Sequence, residues 1–360
     1  MIKLPYYKNL DGLRAIAALV VVIHHFFAYA NPLFYPIITP GLKEYTDTGR
    51  YGVSLFFVLS GFVITRILIN TKTEENYFKS FYFRRILRIA PLYYLFLVVW
   101  YYITPFLTHE NIISFNLQLP YYLYLQNIVE YFGLGHEGPI HYWSLAVEEH
   151  FYLFWPVVIF FVPVKHISKA ILSIIVIVFI VKYFMLQNGM SIGEFTFARI
   201  DQLGIGAFLS VLELKGYLKD RSKIKFFIYS ALIILPLSAA VYLLSSKFPF
   251  LKDISKYFFL SIIFFSIMGL LLTTSDKSVP NRILTSKLFQ YLGRISYGIY
   301  VWHMFVIVVL PIYLVTKLWW LDLTLCVFFT IVLSHLSFYY FESYFFRFKG
   351  KYKLQDKQQN

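Results

Sequence analysis

Along this chain, apolar runs of roughly bilayer length alternate with short, mostly basic connections. Runs of spanning or near-spanning length lie at 12–29, 52–71, 89–107, 144–163, 168–186, 200–214, 226–245, 257–273, 296–316 and 319–341. A transmembrane helix needs about 20 apolar residues, so the pattern predicts an all-α polytopic transmembrane helical bundle of about ten spans. The run at 200–214 is short, and its helix needs support from its neighbours. The stretch 112–131 is aromatic but carries Asn116, Gln118, Pro120, Gln126, Asn127 and Glu130. It reads either as a further span or as a re-entrant or interfacial element. No internal repeat is visible, and the two halves differ in their charged positions, which argues against an inverted-repeat transporter.

Loop charge decides between the two readings of 112–131. If that stretch does not cross, one side of the membrane collects 23 Lys and Arg residues and the other six. The rich side holds Lys3, Lys8, the Arg84–Arg85–Arg88 group and the C-terminal basic residues; the poor side holds Lys43, Arg50, Lys247, Lys252, Lys256 and Lys317. A crossing would invert every later loop and scatter the positive charge. The positive-inside rule therefore predicts both termini cytoplasmic and the 107–143 connection outside.

Composition agrees: 59% of residues are hydrophobic and 14% charged, far from a soluble domain. The formal charge of +14 sits in short loops, a topology signal rather than a nucleic-acid footprint. A single cysteine, Cys326, excludes an intrachain disulfide framework, and no Cys/His cluster points to a metal. Ala28-Tyr29-Ala30 mimics a signal-peptide cleavage site, but Asp11 and Arg14 inside the run mark a retained first helix.

The first span, LDGLRAIAALVVVIHHFF, places Arg14 and His25 eleven residues apart. At about 100° and ~1.5 Å per residue they share a face and stand about 16 Å apart along the axis. Ionisable groups at membrane depth are costly and point to a functional interior. The structural alternative pairs Arg14 with Asp11 and makes His25 a hydrogen-bonded core residue. His24 lies about 80° off the Arg14 face.

The predicted orientation puts Arg14 at the cytoplasmic end and His25 near the outer end. HYWSLAVEEHFYLFWP enters from outside, with Glu148 and Glu149 about one turn down and Glu148 at the depth of His25. A histidine oriented by a carboxylate is a general-base arrangement, so Glu148 is the expected partner of His25. The alternative, which suits Glu149 better, is a carboxylate favoured by a helix N-terminus. Arg199 and Asp201, in ARIDQLGIGAF, fall in the outer half. On the cytoplasmic side FYFRRILRIAPLYY packs Arg84, Arg85 and Arg88 before the third span, with Pro91 marking a break. Arg85 and Arg88 share a face and can clamp phosphates, or else anchor the topology at anionic headgroups. GRISYGIYVWH supplies Ser296, Tyr297 and Tyr300 just inside the membrane and His303 at mid-depth. His335 has no evident partner and reads as a packing histidine. Gly61 after Ser60 allows close helix approach; Ser60 lacks the strand–turn–helix setting of a hydrolase serine.

Seven pieces in order, LDGLRAIAALVVVIHH, FFVLSGFVIT, RRILRIAPLYY, HYWSLAVEEHFYLFWP, RIDQLGIGAF, LGRISYGIYVWH and FESYFFR, resemble the acyltransferase-3 family of bacterial integral-membrane acyltransferases. The resemblance runs from residue 10 to about 347 and implies a transmembrane acyltransferase domain over 1–347, followed by a polar cytoplasmic tail over 348–360. It implies a catalytic His25 preceded by Arg14, and an acyl-CoA contact at Arg85 and Arg88. The family's WSLxxE element falls on Trp143, Ser144, Leu145 and Glu148. Many members carry an extracytoplasmic SGNH hydrolase-like domain; this chain resembles the stand-alone form, implying a separate partner protein or direct transfer.

The expected activity is O-acyl transfer, acetyl by default, in the bacterial cytoplasmic membrane. Acyl-CoA (acetyl-CoA) is the donor substrate, with no bound cofactor and no metal. His25 and Arg14, with Glu148, carry the chemistry; Trp143, Ser144, Arg199, Asp201, Tyr297 and His303 are supporting or acceptor candidates. The acceptor is a hydroxyl of a carbohydrate: O-antigen, exopolysaccharide, peptidoglycan or another surface glycan. His25 acts as base for direct attack or forms an acyl-histidine. The rival class is a transporter or flippase of a lipid-linked glycan, which would not consume thioester. A membrane scaffold, the third class, would tolerate loss of His25 and Arg14 together.

Overall fold

A computed structural model describes residues 4–29 and 48–348. The helices in chain order are α1 (Lys8–Tyr29), α2 (Tyr51–Thr71), α3 (Tyr77–Thr108), α4 (Phe115–Tyr122) and α5 (Gln126–Tyr131). They continue with α6 (Trp143–Phe161), α7 (Ile167–Gln187), α8 (Ile200–Leu214), α9 (Ile224–Leu244) and α10 (Pro249–Thr273). The last four are α11 (Val279–Leu284), α12 (Lys287–Arg294), α13 (Ser296–Tyr313) and α14 (Trp319–Phe346). No strand occurs among the described residues. The expected tail beyond Phe348 and the loop bearing Lys43 lie outside the described residues.

Nine helices among the described residues are long and apolar enough to cross a membrane. Helix is the form such sequences take because lipid offers no partner to an open backbone N–H or C=O. The remaining run, α8, has 15 residues, about 22 Å of helix, and is buried along most of its length against α2, α7 and α10. Its short reach is met by neighbours, as the sequence implied. By contrast α9 turns Leu232, Ile233 and Leu235 outward, the surface a lipid-facing helix needs.

The 112–131 stretch folds into α4 and α5, of 8 and 6 residues. At ~1.5 Å per residue neither approaches a bilayer's thickness, so the stretch does not cross. Its polar side chains act as staples. Gln118 donates to the Ile113 carbonyl at 2.6 Å, Gln126 to the Tyr142 carbonyl at 2.8 Å, and Asn127 to the Thr196 hydroxyl at 2.6 Å. All three residues are buried, which explains why an apolar segment carries them.

One expectation fails at Pro91. Helix α3 runs through it without a break, from Tyr77 past Val98. The proline ring costs one backbone bond to the preceding turn, but its fixed φ is helical and membrane helices tolerate the loss. The irregularity falls later, where α3 is π-helical over Val99–Ile103; α14 does the same over Ser337–Glu342.

Helix α2 sits at the centre, packed against α1, α6, α8 and α10. Its contact with α8 depends on two glycines. A Cβ on Gly61 would strike the Leu203 carbonyl oxygen, and one on Gly206 the Val58 carbonyl oxygen. Gly61 is thus the close-approach residue its setting predicted. Gly61→Ala should destabilise the protein by about 1–3 kcal/mol through overpacking against backbone. Gly204→Ala, whose Cβ would meet only Ile171 and Ile175 side chains at 3.7 Å, should be neutral or stabilising. Thermal unfolding of the two variants in detergent measures the difference.

Candidate active site

A cavity lies between α1, α2, α3, α6 and α13, beside the α2–α8 contact. It holds about 120 Å³ and is lined by Arg14, Ser60, Arg85, Arg88, Ser144, Glu148, Tyr152, Tyr297 and Tyr300 among others. Residues from five helices, widely separated in the chain, therefore meet in one space. Arg14 and Arg88 also border a second space of about 250 Å³, with Asp11, Arg294 and Glu342. Arg85 and Arg88 border a third of about 180 Å³, with Arg84, Ser80 and Tyr77. Three openings converge on Arg88, which is itself exposed to them.

Arg14 makes the pair with Asp11 that the structural alternative expects. Its Nη1 donates to Asp11 Oδ1 at 2.7 Å, and the guanidinium still lines two of the cavities. The Asp11 pair fixes the side chain at the mouth while leaving donors for a ligand. Arg85 stands 5.0 Å from the Tyr152 ring. Tyr152 donates to Glu148 Oε2 at 2.8 Å and is hydrogen-bonded to Ser60. A Ser60–Tyr152–Glu148 string thus runs across the cavity wall between α2 and α6.

The expected pairing of His25 with Glu148 is corrected. His25 Nδ1 lies 3.1 Å from the Val21 carbonyl oxygen and 3.1 Å from His303 Nε2. Its ring also contacts His24 and Tyr29. The discrepancy is one of depth. Ser144, one turn before Glu148 on α6, is hydrogen-bonded to Tyr300, and His303 lies nearly one turn beyond Tyr300 on α13. At ~1.5 Å per residue, Glu148 sits about 10 Å along the bundle from the His25–His303 level, beside the arginines. The Ser144–Tyr300 pair lines the cavity on the side nearest that level.

The imidazole level is deeper in histidine than expected. The His141 ring packs on His303 with centroids 4.7 Å apart, and the Tyr300 hydroxyl donates to the His141 carbonyl at 2.7 Å. His141 stands at the head of HYWSLAVEEHFYLFWP and belongs to this level, though its residue type alone does not mark it out. Its place directly before Trp143 and Ser144, where α6 begins on the side of His25, was the available signal. Tyr152 and the lining role of Ser60 were missed as well, because hydroxyls in apolar runs look like packing. His335 is likewise corrected: the Tyr291 hydroxyl meets its Nδ1 at 2.9 Å.

Arg199 and Asp201 sit at the start of α8, both buried. Lys182 of α7 donates to Asp201 Oδ2 at 2.6 Å, so Asp201 is engaged in an interhelical ion pair and does not reach the cavity. The Arg199 guanidinium lies 3.5 Å from the Tyr257 ring centroid and 5.1 Å from that of Trp143. Trp143 in turn packs edge-on against Phe57 at the cavity wall. Tyr297 donates to the Ile89 carbonyl at 2.8 Å, tying α13 to α3 next to Arg88.

A bundle of apolar helices of spanning length, with an arginine-lined interior cavity beside an imidazole pair, is the architecture of a multi-pass membrane protein. The acyltransferase-domain model of the acyltransferase-3 family matches residues 7–342, and the chain belongs to that family. The chain is 28% identical over 94% of its length to the peptidoglycan O-acetyltransferase OatA of Listeria monocytogenes. It is 30% identical over 94% of its length to YrhL of Bacillus subtilis, provisionally named a peptidoglycan O-acetyltransferase. A provisionally named O-acetyltransferase of Staphylococcus aureus (strain COL) is 28% identical over 95% of the chain. The chain spans 58% of the Staphylococcus relative's length, 55% of OatA's and 54% of YrhL's. No solved structure matches it.

Proposed function

We propose that this protein transfers an acetyl group from acetyl-CoA in the cytoplasm to a hydroxyl of a carbohydrate on the far side of the membrane. The observation that carries the reading is the single cavity with Arg14, Arg85 and Arg88 toward one end and Ser144 and Tyr300 at the other, beneath His25 and His303. Peptidoglycan is the acceptor named for OatA, and a peptidoglycan hydroxyl is the first acceptor to try here. Residues 1–347 act as one membrane domain in the cytoplasmic membrane, both termini inside, with acetyl passed directly to the acceptor.

In this reading Arg85 and Arg88 hold donor phosphates, where planar guanidinium groups bond oxyanions in pairs. Arg14, anchored by Asp11, guards the same mouth. The pantetheine arm carries the thioester past Glu148 and Tyr152 toward the Ser144–Tyr300 pair. His25 takes the acceptor's hydroxyl proton, the oxygen attacks the thioester carbon, and the C–S bond breaks. The CoA thiolate leaves and recovers the proton.

Arg88→Ala should raise the KM for acetyl-CoA about 10- to 100-fold, the loss of one charged hydrogen-bond partner, with a smaller effect on kcat. Initial rates against donor concentration measure it; an unchanged KM would remove Arg88 from the donor site. The reading itself is tested by release of free CoA from acetyl-CoA when acceptor is supplied. A flippase would move the glycan and leave the thioester intact.

A further inference from the structure

We infer that His303 is a positioning residue that, together with the Val21 carbonyl, holds His25 in its Nδ1–H tautomer and leaves His25 Nε2 as the atom that receives the acceptor's proton. The inference rests on the proposed role of His25 as base. Its ground is a chain of short contacts anchored at two carbonyl oxygens, which can only accept.

The Val21 carbonyl oxygen accepts and cannot donate, so His25 Nδ1, 3.1 Å away, carries a hydrogen. The same Nδ1 faces His303 Nε2 at 3.1 Å, so that nitrogen must present its lone pair. An independent contact imposes the same state on His303. Its Nδ1 lies 2.5 Å from the Tyr300 carbonyl oxygen, another pure acceptor, and therefore carries the ring's hydrogen. Two carbonyls, on α1 and on α13, thus set two imidazoles in matching tautomers: the one His25 Nδ1–H is shared between the Val21 oxygen and His303 Nε2, and His303 Nδ1–H donates to the Tyr300 carbonyl. A proton on His303 Nε2 would set two donors against each other, so the relay needs a neutral His303.

Burial gives the relay its rigidity. His303 is fully buried, while His25 is partly exposed. The His141 ring packs on His303 at 4.7 Å and the Tyr300 ring at 5.6 Å, holding the plane of the accepting ring. Excluding water strengthens such a bond and keeps it from being exchanged. With Nδ1 committed on the buried side, the free lone pair of His25 is on Nε2. During transfer Nε2 takes the proton of the acceptor hydroxyl, the acceptor oxygen bonds to the thioester carbon, and the C–S bond breaks. Nε2 then gives its proton to the departing thiolate. Nδ1 keeps its hydrogen throughout, and the transient imidazolium donates the same bond to His303. The place assigned from sequence to Glu148 is thus taken by a neutral imidazole.

Steady-state kinetics in proteoliposomes, with acetyl-CoA and a soluble peptidoglycan fragment, test this on four proteins: wild type, His25→Ala, His303→Leu and His303→Gln. Leucine fills the space without an acceptor; glutamine sets its amide oxygen near the position of Nε2. His303→Leu should lower kcat about 10- to 100-fold with KM for acetyl-CoA within about twofold, and His303→Gln should recover most of that loss. A kcat within twofold of wild type in His303→Leu would overturn the inference, as would leucine and glutamine variants equally impaired at unchanged KM. If the leucine variant fails to reach the membrane, His303→Met, equally without a ring acceptor, is held to the same criteria. An active His25→Ala protein would instead overturn the base assignment, whereas an inactive one beside an active His303→Leu would overturn the relay alone.

Discussion

His25→Ala should reduce acetyl transfer by at least about 10³-fold while the protein still reaches the membrane and binds acetyl-CoA, the scale of a lost general base. The side chain supports this separation of effects. His25 is partly exposed, and its polar contacts are with a carbonyl of its own helix and with His303. Truncation therefore removes a reacting group without opening a large void, and neighbouring α1 residues such as Val21 and Val22 keep the packing. The arginines, on the far side of the Ser144–Tyr300 pair from His25, are untouched. Counting transferred radiolabelled acetyl, alongside equilibrium binding of acetyl-CoA, checks both halves; transfer within tenfold of wild type would sink the assignment.

The largest stability effect is expected at Asp201→Ala. Lys182 is 1% exposed and its ammonium donates to Asp201 at 2.6 Å, deep between α7 and α8. Removing the carboxylate leaves a buried cation beside Arg199, a loss of about 3–5 kcal/mol by the usual scale for a broken buried pair. The charge is the cause, so the double change Lys182→Met with Asp201→Leu should be more stable than Asp201→Ala. Thermal unfolding in detergent ranks the three; an Asp201→Ala protein as stable as wild type would show that water or lipid headgroups reach the pair.

Much of the bundle was legible because apolar run length is a strong signal and loop charge fixes which runs cross. Gly61 was legible from its neighbours, and the shared face of Arg14 and His25 from helical period alone. Period and depth do not say which helices are neighbours, and the misreadings fall there. Glu148 fits His25 by depth alone, yet about 10 Å of helix separates their levels and His303 of α13 takes the place beside His25. Asp201 looked like a site residue because its partner, Lys182, lies on another helix, buried in a run that reads as plain lipid-facing sequence. Pro91 looked like a stop because a proline in water usually is one, whereas a helix in lipid has no cheaper alternative.

The most direct measurement is acetyl transfer across a sealed bilayer. Protein is reconstituted in vesicles, labelled acetyl-CoA is supplied on the side of the termini, and a peptidoglycan fragment is trapped on the other. Labelled acetyl should appear on the trapped carbohydrate with an equal amount of free CoA outside, and both should vanish with His25→Ala. Carbohydrate crossing the bilayer with the thioester intact, or label transferred equally by the His25→Ala protein, would contradict it.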